Sequence, residues 1–552
     1  YKPGVFYVEY QHDATPFVSI IIPTKDKLEI LEPCVSSLLE KTGYQHFEVI
    51  VVDNNSSEQA TLEYFEKIQR DDLRVKVIRY PKPYNYSAIN NMAAKQAKGD
   101  YLVLLNNDTA VIKEDWLDRM LSLGQREDVG IVGARLLHPD TTIQHAGVVV
   151  GMSGVADHSH IGVETESPGY MGQNLTMRGV SAVTAACLLI KKDVFFSVNG
   201  LDEEHFAVLF NDVDLCLKVG KKGFRIVYTP YAVLMHHGSF SLKKKVNKPD
   251  EAARRRYETL TLLQKWMPVL ANDPAYNRNL CLYSRDVIQD ERLVQHWDMH
   301  RHDCLRLVLF PADDRFSVAP LFSLLQENNS LRFTHITADD DAGRRMLEPV
   351  ELERRKPDVL LFHVSMPDSC QVALEYYAAF NQSMFKVLVL DDQQCFPSRK
   401  CKKRAKQSRE KEQRIRKMLA SCDRLLVTTQ QLADAWSGII DDVKIIPDSA
   451  EIQNWHGLSS NKRQQYMDAW LAALTPPGNR VADAGLETSE LAEKEVIPCD
   501  TDPQAAYQTW IEAHRLQEHD IQQYTLRMTS GWSLQPAIHL LVTHVSGQEE
   551  AL

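Results

Sequence analysis

Four short apolar runs decide the fold of the chain: FVSIIIP (17–23), EVIVVD (48–53), VKVIRY (75–80) and YLVLLN (101–106). Their continuous Val, Ile and Leu content is typical of strands buried on both faces of a parallel sheet. Amphipathic segments separate the runs, near 29–41, 58–69 and 86–98. Gly99 follows the last segment, which predicts a glycine C-cap. Alternating strands and helices of this kind predict a doubly wound α/β layer.

Polar residues follow three of these runs, where ligands bind in sheets of this type: Pro23-Thr24, Asp53-Asn54-Asn55 and Asn106-Asn107-Asp108. The turn PTKDK (23–27) lacks the GxGxxG pattern of a dinucleotide site, and no Walker A sequence occurs. The phosphates of a bound nucleotide therefore need another partner, and a metal ion is the obvious substitute.

Acidic and histidine side chains suited to a metal follow further along the chain. Asp108 ends a predicted strand and could hold a divalent cation, although a turn or cap aspartate has the same pattern. Asp212 and Asp214 begin a predicted helix over 212–222, where a carboxylate is favoured with or without catalysis. His236 and His237 follow the strand-like FRIVYTP (224–230), and adjacent histidines point in different directions, so at most one is expected to be a ligand.

A second α/β pattern follows a polar connector. Its predicted strands are LRLVLF (305–310), DVLLFHV (358–364), KVLVLD (386–391), RLLVTT (424–429) and VKIIP (443–447). Beyond about residue 460 the composition predicts linker and helix. We therefore expect domains at 1–265 and 304–460, a connector at 266–303, and a helical linker at 461–552 with the possible start of another module.

Composition limits the classes of function. The 552 residues carry a net charge of −11, which argues against a general nucleic-acid partner. The apolar run at 180–190 is too short to span a bilayer. Ten scattered cysteines without metal-site spacing predict reduced thiols and a cytoplasmic location. The last residues, from Pro536, repeat the layout of 16–31, so either the chain is truncated or the similarity is due to chance.

The order of the motifs is more specific than any one of them. PT (23–24), VVDNNS (51–56), the segment from YNYS to NNDT (84–109), FNDVDLCLKVGKKGF (210–224) and HHGS (236–239) follow one another. This order resembles the family 2 glycosyltransferases over residues 15–245, and most closely their bacterial members that build O-antigen or capsule. The resemblance implies a GT-A fold, a nucleotide-sugar donor and an inverting reaction.

The resemblance also implies roles for the donor-binding residues. Pro23 and Thr24 would contact the base and the ribose, and Asp53 would accept a hydrogen bond from the base. Asn85 and Asn91 would line the diphosphate and the sugar. Asn107 belongs to the same donor-binding group.

The metal and the base are implied in the same way. Asp108 would bind a divalent ion, Mn²⁺ or Mg²⁺, although Asn106 replaces the first acid of the motif. His236, less favourably His237, matches a histidine near that ion. Asp212 would be the general base, with Asn211 in place of the preceding acid. The segment 179–190 would floor the sugar and acceptor pocket.

The second pattern resembles one Rossmann-like half of a GT-B glycosyltransferase, on the residues FPADD (310–314), VLDDQQ (389–394) and VKIIPDSAEIQNW (443–455) among others. Without a second half, an accessory role is favoured over a second activity. The basic stretch 399–417 is either a contact to anionic lipid or a solvated helix face.

The expected function is the transfer of a sugar from a nucleotide-diphosphate donor, with UDP or dTDP, to a bacterial surface glycan. The acceptor would be lipid-linked, with a peripheral membrane contact. Two alternatives stay open. One is a nucleotidyltransferase, and the other is a non-catalytic scaffold, which the asparagines 106 and 211 would suit.

Overall fold

The computed structural model describes residues 7–238, 249–285, 287–290, 305–309, 331–335, 348–364, 366, 374, 376–379, 384–390, 412–446 and 459–477. The chain forms two compact units. The first comprises Tyr1–Leu293, Val308–Phe316 and Thr334–Ile445, and the second comprises Val294–Leu307, Ser317–Phe333 and Ile446–Leu552.

The first unit begins with a run of strands and helices. In chain order the strands are β1 (Val18–Thr24), β2 (Phe47–Asp53), β3 (Val75–Arg79), β4 (Tyr101–Leu105), β5 (Thr109–Val111), β6 (Val129–Leu137), β7 (Ile143–His145), β8 (Val148–Val150), β9 (Ala156–His158), β10 (Arg178–Val180), β11 (Cys187–Lys191) and β12 (Arg225–His236). The helices are α1 (Leu28–Lys41), α2 (Gln59–Asp71), α3 (Tyr86–Gln96), α4 (Trp116–Gly124), α5 (Lys192–Ser197), α6 (Asn211–Lys221) and α7 (Pro249–Ala271). Two short 3₁₀ turns lie at Met152–Gly154 and Tyr170–Gly172.

Strands β1 to β4 are parallel and lie in the order β3-β2-β1-β4, with α1, α2 and α3 as the crossovers. Every residue of β1, β2 and β4 is buried, as their unbroken apolar sequences predict, whereas β3 at the sheet edge exposes Lys76 and Arg79. The predicted α/β fold class is confirmed.

Beyond β4 the sheet becomes mixed. Strand β11 pairs antiparallel with both β4 and β6, and β12 pairs parallel with β6. The full order is β10-β12-β6-β11-β4-β1-β2-β3, with β5 on β12 and β7 on β6. Strands β8 and β9 form a separate antiparallel hairpin. The pairing of β5 with β12 is what brings the end of β12 to the segment that follows β4.

Gly99 corrects one local prediction. Helix α3 ends with Ala97 at its C-cap, and Gly99 is not in the left-handed region. A Cβ atom at Gly99 would lie 2.5 Å from the backbone nitrogen of Ser19 and 2.8 Å from the carbonyl oxygen of Phe17. The glycine is therefore required because two backbone segments approach closely, and not because of a helix cap.

The first unit also contains a second parallel sheet. Four of the predicted strands are present, and they pair in chain order: Val359–His363, Phe385–Leu390, Arg424–Val427 and Val443–Ile445. Helices Pro349–Arg355 and Gln430–Trp436 accompany them, with a helical stretch over 412–419. Strand Leu305–Leu309 was also predicted, whereas Leu331–His335 was not. The second α/β pattern is therefore real.

Several predictions lie outside the described residues. They are FPADD (310–314), most of the basic stretch 399–417, the residues after Leu390 in VLDDQQ, and all of the chain beyond 477 with its repeat-like end. Helix α7 runs across the expected boundary at 265/266, so residues 266–271 continue the last helix of the first domain. In the second unit, helix Ser460–Leu474 is capped by the hydroxyl of Ser459. Among the helices of the described ranges, none has the length and apolarity needed to cross a bilayer.

Candidate active site

Three predicted donor-binding residues meet at the carboxyl edge of the parallel strands. Thr24, at the end of β1, lies directly beside Asp53, at the end of β2. Asn107, just past β4, donates from Nδ2 to the hydroxyl oxygen of Thr24 at 3.0 Å. Pro23 precedes them in β1 and is buried. The parallel register therefore assembles side chains from three strands at one edge, as the sequence predicts.

Asp53 is held in a fixed orientation. Its Oδ1 accepts a hydrogen bond from the backbone of Ser56 at 2.7 Å, and Arg79 Nε lies 3.8 Å from Oδ2. The residue is only 4% exposed. An anchored carboxylate of this kind retains lone pairs for one further donor.

Asp108 and His236 form the most direct contact of the site. Strand β5 pairs with β12 so that Thr109 lies opposite His236, which brings Asp108 Oδ1 to 2.9 Å from His236 Nε2. Burial opposes the charge of the carboxylate, but the hydrogen bond with His236 and its charge outweigh burial. The pKa of Asp108 therefore lies below its usual value. Its ionised form is the one that binds a cation.

The structure separates the two adjacent histidines. The backbone nitrogen of His237 donates to the carbonyl oxygen of Asp108 at 2.9 Å, while the residue itself is exposed. The imidazole of His236 is largely buried and faces Asp108. Of the two histidines, His236 is the one placed to bind the same cation as Asp108.

Asp212 lies at the start of α6. Its Oδ2 accepts a hydrogen bond from the backbone of Ala185 at 3.0 Å, and its Oδ1 accepts one from Val213 at 2.9 Å. Phe210, before the helix, adopts a left-handed conformation that turns the chain into α6. The positive end of the helix dipole favours a carboxylate at this position.

A short path of contacts joins Asp212 to the region of Asp108 and His236. Ala185 donates to Asp212, and the carbonyl oxygen of the next residue, Ala186, accepts from the backbone of Asn106 at 3.1 Å. Asn106 lies two residues before Asp108, and its Nδ2 is 3.4 Å from His236 Nε2. The segment before β11 therefore connects the two predicted carboxylates.

Tyr86 contacts the same backbone segment. Its hydroxyl donates to the carbonyl oxygen of Ala185 at 3.2 Å. Burial raises the pKa of Tyr86 well above its usual value, and the charges of Tyr84, Asp212 and Asp108 raise it further. The hydrogen bond of Tyr86 thus adds a side-chain contact to the segment that leads from Asp212 to Asn106.

Two predicted donor-binding asparagines contact the protein's own backbone. Asn85 caps α3 through a bond from Ala88 at 2.9 Å, and its Nδ2 donates to the carbonyl oxygen of Glu203 at 2.8 Å. Asn91 exchanges two hydrogen bonds with Leu201, at 2.8 and 3.0 Å. Both amides hold the loop that leads to α6, so a role in donor binding stays a prediction.

Two polar residues beside Asp212, Asp214 and Asn211, make structural contacts. Asp214 is fully buried and binds Trp266 Nε1 at 2.8 Å, Lys265 at 2.7 Å and Lys218 at 3.2 Å. These contacts tie α6 to α7. Asn211 is also buried and donates to the carbonyl oxygen of Val208 at 3.0 Å.

Glu258 is a contributor that the sequence did not reveal. From α7 its carboxylate accepts hydrogen bonds from the backbone of Val208 at 3.0 Å and Leu209 at 3.2 Å. It is 1% exposed, and burial raises its pKa despite those bonds. Glu258 therefore holds the backbone at residues 208–209, shortly before Asp212. A lone glutamate in an amphipathic helix gives no sequence signal for this contact.

Asp108 and His236 suit a divalent cation that is also held by the phosphate oxygens of a bound nucleotide. A carboxylate oxygen and an imidazole nitrogen face each other at Asp108 and His236, and both groups bind Mn²⁺. Within the described ranges, no three His, Cys, Asp or Glu side chains converge on one point. Such a two-residue set leaves most coordination positions for phosphate oxygens and water.

Comparison with known proteins finds relatives for the first part of the chain. A model of the family described as Glycosyl transferase family 2 matches residues 19–196. The chain is 48% identical over 276 residues to the uncharacterized protein y4gI of Sinorhizobium fredii, covering 50% of this chain and 30% of the relative. It is 40% identical over 293 residues to the O-antigen biosynthesis protein RfbC of Myxococcus xanthus, covering 51% of this chain and 22% of the relative.

Residues 19–196 therefore match the glycosyl transferase family 2 model, in line with the family resemblance of the motif order. It spans less than a third of the length of those two relatives. The solved mannosyltransferase PcManGT from Pyrobaculum calidifontis, in complex with GDP-Man and Mn²⁺, aligns with 46% of this chain and 64% of its own, at 15% identity and a TM-score of 0.34. Asp212 and His236 both lie beyond the residues that the family model matches.

Proposed function

We propose that this chain transfers a sugar from a nucleotide-diphosphate donor to a growing bacterial surface glycan, with inversion and with a divalent metal ion. One observation carries the proposal. Asp108 lies 2.9 Å from His236, and residues 185–186 connect this pair to Asp212. A cation-binding pair and a candidate base therefore share one region at the carboxyl edge of the sheet.

The donor nucleotide would lie at the ends of β1, β2 and β4. Thr24, Asp53 and Asn107 present a hydroxyl, a carboxylate and an amide there. A carboxylate oxygen suits an N–H donor of a pyrimidine base, and the hydroxyl and amide suit a ribose. UDP and dTDP both offer such an N–H group, so this edge supports either nucleotide.

The diphosphate would lie beside Asp108 and His236. Those two residues would hold Mn²⁺ or Mg²⁺, which when bound neutralises the charge of the departing diphosphate. The pKa of Asp108 is lowered, so its side chain is anionic at neutral pH. The chain's own contribution is thus one negative oxygen and one imidazole nitrogen at a fixed separation.

Asp212 would act as the general base. As the acceptor oxygen bonds to the anomeric carbon, the bond from that carbon to the diphosphate oxygen breaks. The hydroxyl proton passes to the carboxylate of Asp212, and a nucleoside diphosphate leaves. A single displacement of this kind inverts the configuration. The hydrogen bonds from Ala185 and Val213 fix the carboxylate without occupying all of its lone pairs.

The acceptor is proposed from a similar protein and from a sequence pattern, and not from contacts within the site. The similarity to an O-antigen biosynthesis protein supports a surface glycan as the product. A lipid-linked acceptor and a peripheral membrane contact belong to the same proposal. The basic stretch that suggested them lies mostly outside the described residues.

One observation favours a non-catalytic scaffold as the second candidate. Asn106 and Asn211 stand where the family resemblance implies acids, and Asn211 is buried with its amide bound to Val208. A scaffold would bind a nucleotide sugar without cleaving it.

A donor screen tests the proposal. UDP-, dTDP- and GDP-sugars are added with Mn²⁺ or with EDTA, and the melting temperature is measured, since a ligand of the folded state raises it. Donors that bind are then assayed for slow hydrolysis. Release of a nucleoside diphosphate that requires Mn²⁺ supports the proposal. Binding without release would favour the scaffold, and release of pyrophosphate from a nucleoside triphosphate would indicate a nucleotidyltransferase.

A further inference from the structure

Gln144 contacts the far side of the His236 imidazole. Its Oε1 lies 2.5 Å from His236 Nδ1. Its Nε2 lies 3.3 Å from the carbonyl oxygen of His236 and 3.1 Å from Nδ1 of His138. Gln144 is 9% exposed and comes from β7, a strand outside the parallel part of the sheet.

The orientation of this amide follows from its partners. A backbone carbonyl oxygen can only accept, so the nitrogen of Gln144 must face the carbonyl of His236. Its oxygen then faces Nδ1 of His236, which must carry a hydrogen in order to donate. When Nδ1 carries the hydrogen of a neutral imidazole, the lone pair lies on Nε2. Nε2 is the atom that lies 2.9 Å from Asp108, and a bound cation would take the place of the hydrogen that Nε2 donates to that carboxylate.

The chain around Gln144 is shaped to admit it. Gly238 has a positive φ of 48°, and a Cβ atom there would lie 2.5 Å from Gln144 Nε2. The neighbouring His145 points elsewhere, because its Nδ1 bonds to the carbonyl oxygen of Ala134 at 2.8 Å. The glycine after His236 therefore leaves room for Gln144. The alternation of side chains along β7 directs Gln144 to His236 and His145 away from it.

We propose that Gln144 is a positioning residue that holds His236 with Nδ1 protonated, so that Nε2 presents its lone pair beside Asp108 to a divalent cation. The inference rests on the proposed function, because it requires a metal at Asp108 and His236. Hydrogen bonds that orient a metal-binding histidine and increase its basicity are worth about 10- to 100-fold in metal affinity.

The test measures Mn²⁺ affinity by electron paramagnetic resonance, in the presence of UDP, with the full chain. The variants are Gln144→Leu, Gln144→Glu, His236→Ala and the double variant Gln144→Leu/His236→Ala. Gln173→Leu is the matched control, since Gln173 makes a similar contact to His160, at 3.4 Å. Circular dichroism confirms that each variant is folded.

We expect Gln144→Leu to weaken Mn²⁺ binding by about 10- to 100-fold, and Gln144→Glu, which keeps an acceptor for Nδ1, to stay within about threefold of the wild type. In the His236→Ala background the Leu substitution should have no further effect, and Gln173→Leu should have none. Wild-type affinity in Gln144→Leu would overturn the inference alone, as would equal losses in both backgrounds. Wild-type affinity in His236→Ala would overturn the proposed metal site, and the inference with it.

Discussion

Replacing Glu258 with alanine should release the backbone that leads into α6. The substitution leaves the N–H groups of Val208 and Leu209 without their carboxylate partner in a buried setting. Each unpaired buried N–H group costs about 1–3 kcal/mol. The substitution also removes a buried carboxylate, whose burial is unfavourable, as the raised pKa of Glu258 indicates. This gain offsets part of the cost. We expect a net local loss of about 2–4 kcal/mol.

Hydrogen exchange measures this loss where it occurs. A local loss of about 2–4 kcal/mol corresponds to a fall of roughly 30- to 1,000-fold in the protection of the amides of Val208 and Leu209. The amides of β1 and β2, elsewhere in the sheet, should keep their protection. Glu258→Gln retains one acceptor oxygen and should show an intermediate fall. Donor cleavage should slow in the same order, since Asp212 follows this backbone.

Arg255→Ala is the control, because Arg255 is exposed on the same helix. It should leave both protection and cleavage unchanged. Unchanged protection of Val208 and Leu209 in Glu258→Ala would refute the reasoning. So would a uniform loss of protection across the whole sheet, since that would indicate a global rather than a local role.

Three further predictions concern other parts of the same domain. Asp108→Asn should weaken Mn²⁺-dependent nucleotide binding by at least about tenfold, measured by calorimetry with and without EDTA. Gly99→Ala should destabilise the sheet by about 1–3 kcal/mol, because the new Cβ would meet backbone atoms, and thermal unfolding measures the change. Burial raises the pKa of Cys34 to about 12, so only roughly one thiol in ten thousand is ionised at pH 8. Iodoacetamide should therefore label Cys34 at pH 8 only after unfolding, as peptide mapping by mass spectrometry would show.

Each of these predictions has its own contrary result. Calorimetry that gives Asp108→Asn the Mn²⁺ dependence of the wild type would remove Asp108 from the metal site. Gly179→Ala is the control for Gly99→Ala, since nothing lies within 4 Å of a Cβ at Gly179. Equal melting temperatures for the two variants would contradict the packing argument. Rapid labelling of Cys34 in the folded protein would contradict its burial.

The sequence predicted the parallel half of the fold because each strand there is recognisable by itself. The apolar runs 17–23, 48–53 and 101–106 became β1, β2 and β4 with bounds close to those expected. It did not predict the antiparallel pairing of β11 with β4, which depends on contacts between distant segments. Gly99 shows the same limit. Its position after a helix resembled a cap, whereas the cause is the approach of β1.

The sequence likewise predicted only part of the candidate site. The motif order singled out Asp108, His236 and Asp212, and the structure brings them into one region. It did not reveal Gln144 or Glu258, because each acts through a contact with a remote segment and has no neighbouring motif. The predicted ligand-binding residues belong to recognisable motifs at strand or helix ends, whereas the residues that hold them are defined only by packing.

The most direct test of the central claim is the cleavage rate of Asp212→Asn, measured together with its affinity for the same donor. Release of nucleoside diphosphate should fall by about 10²- to 10⁴-fold, the usual contribution of a general base, while the donor dissociation constant stays at the wild-type value. A variant that releases nucleoside diphosphate at the wild-type rate would contradict the assignment of Asp212 as the base.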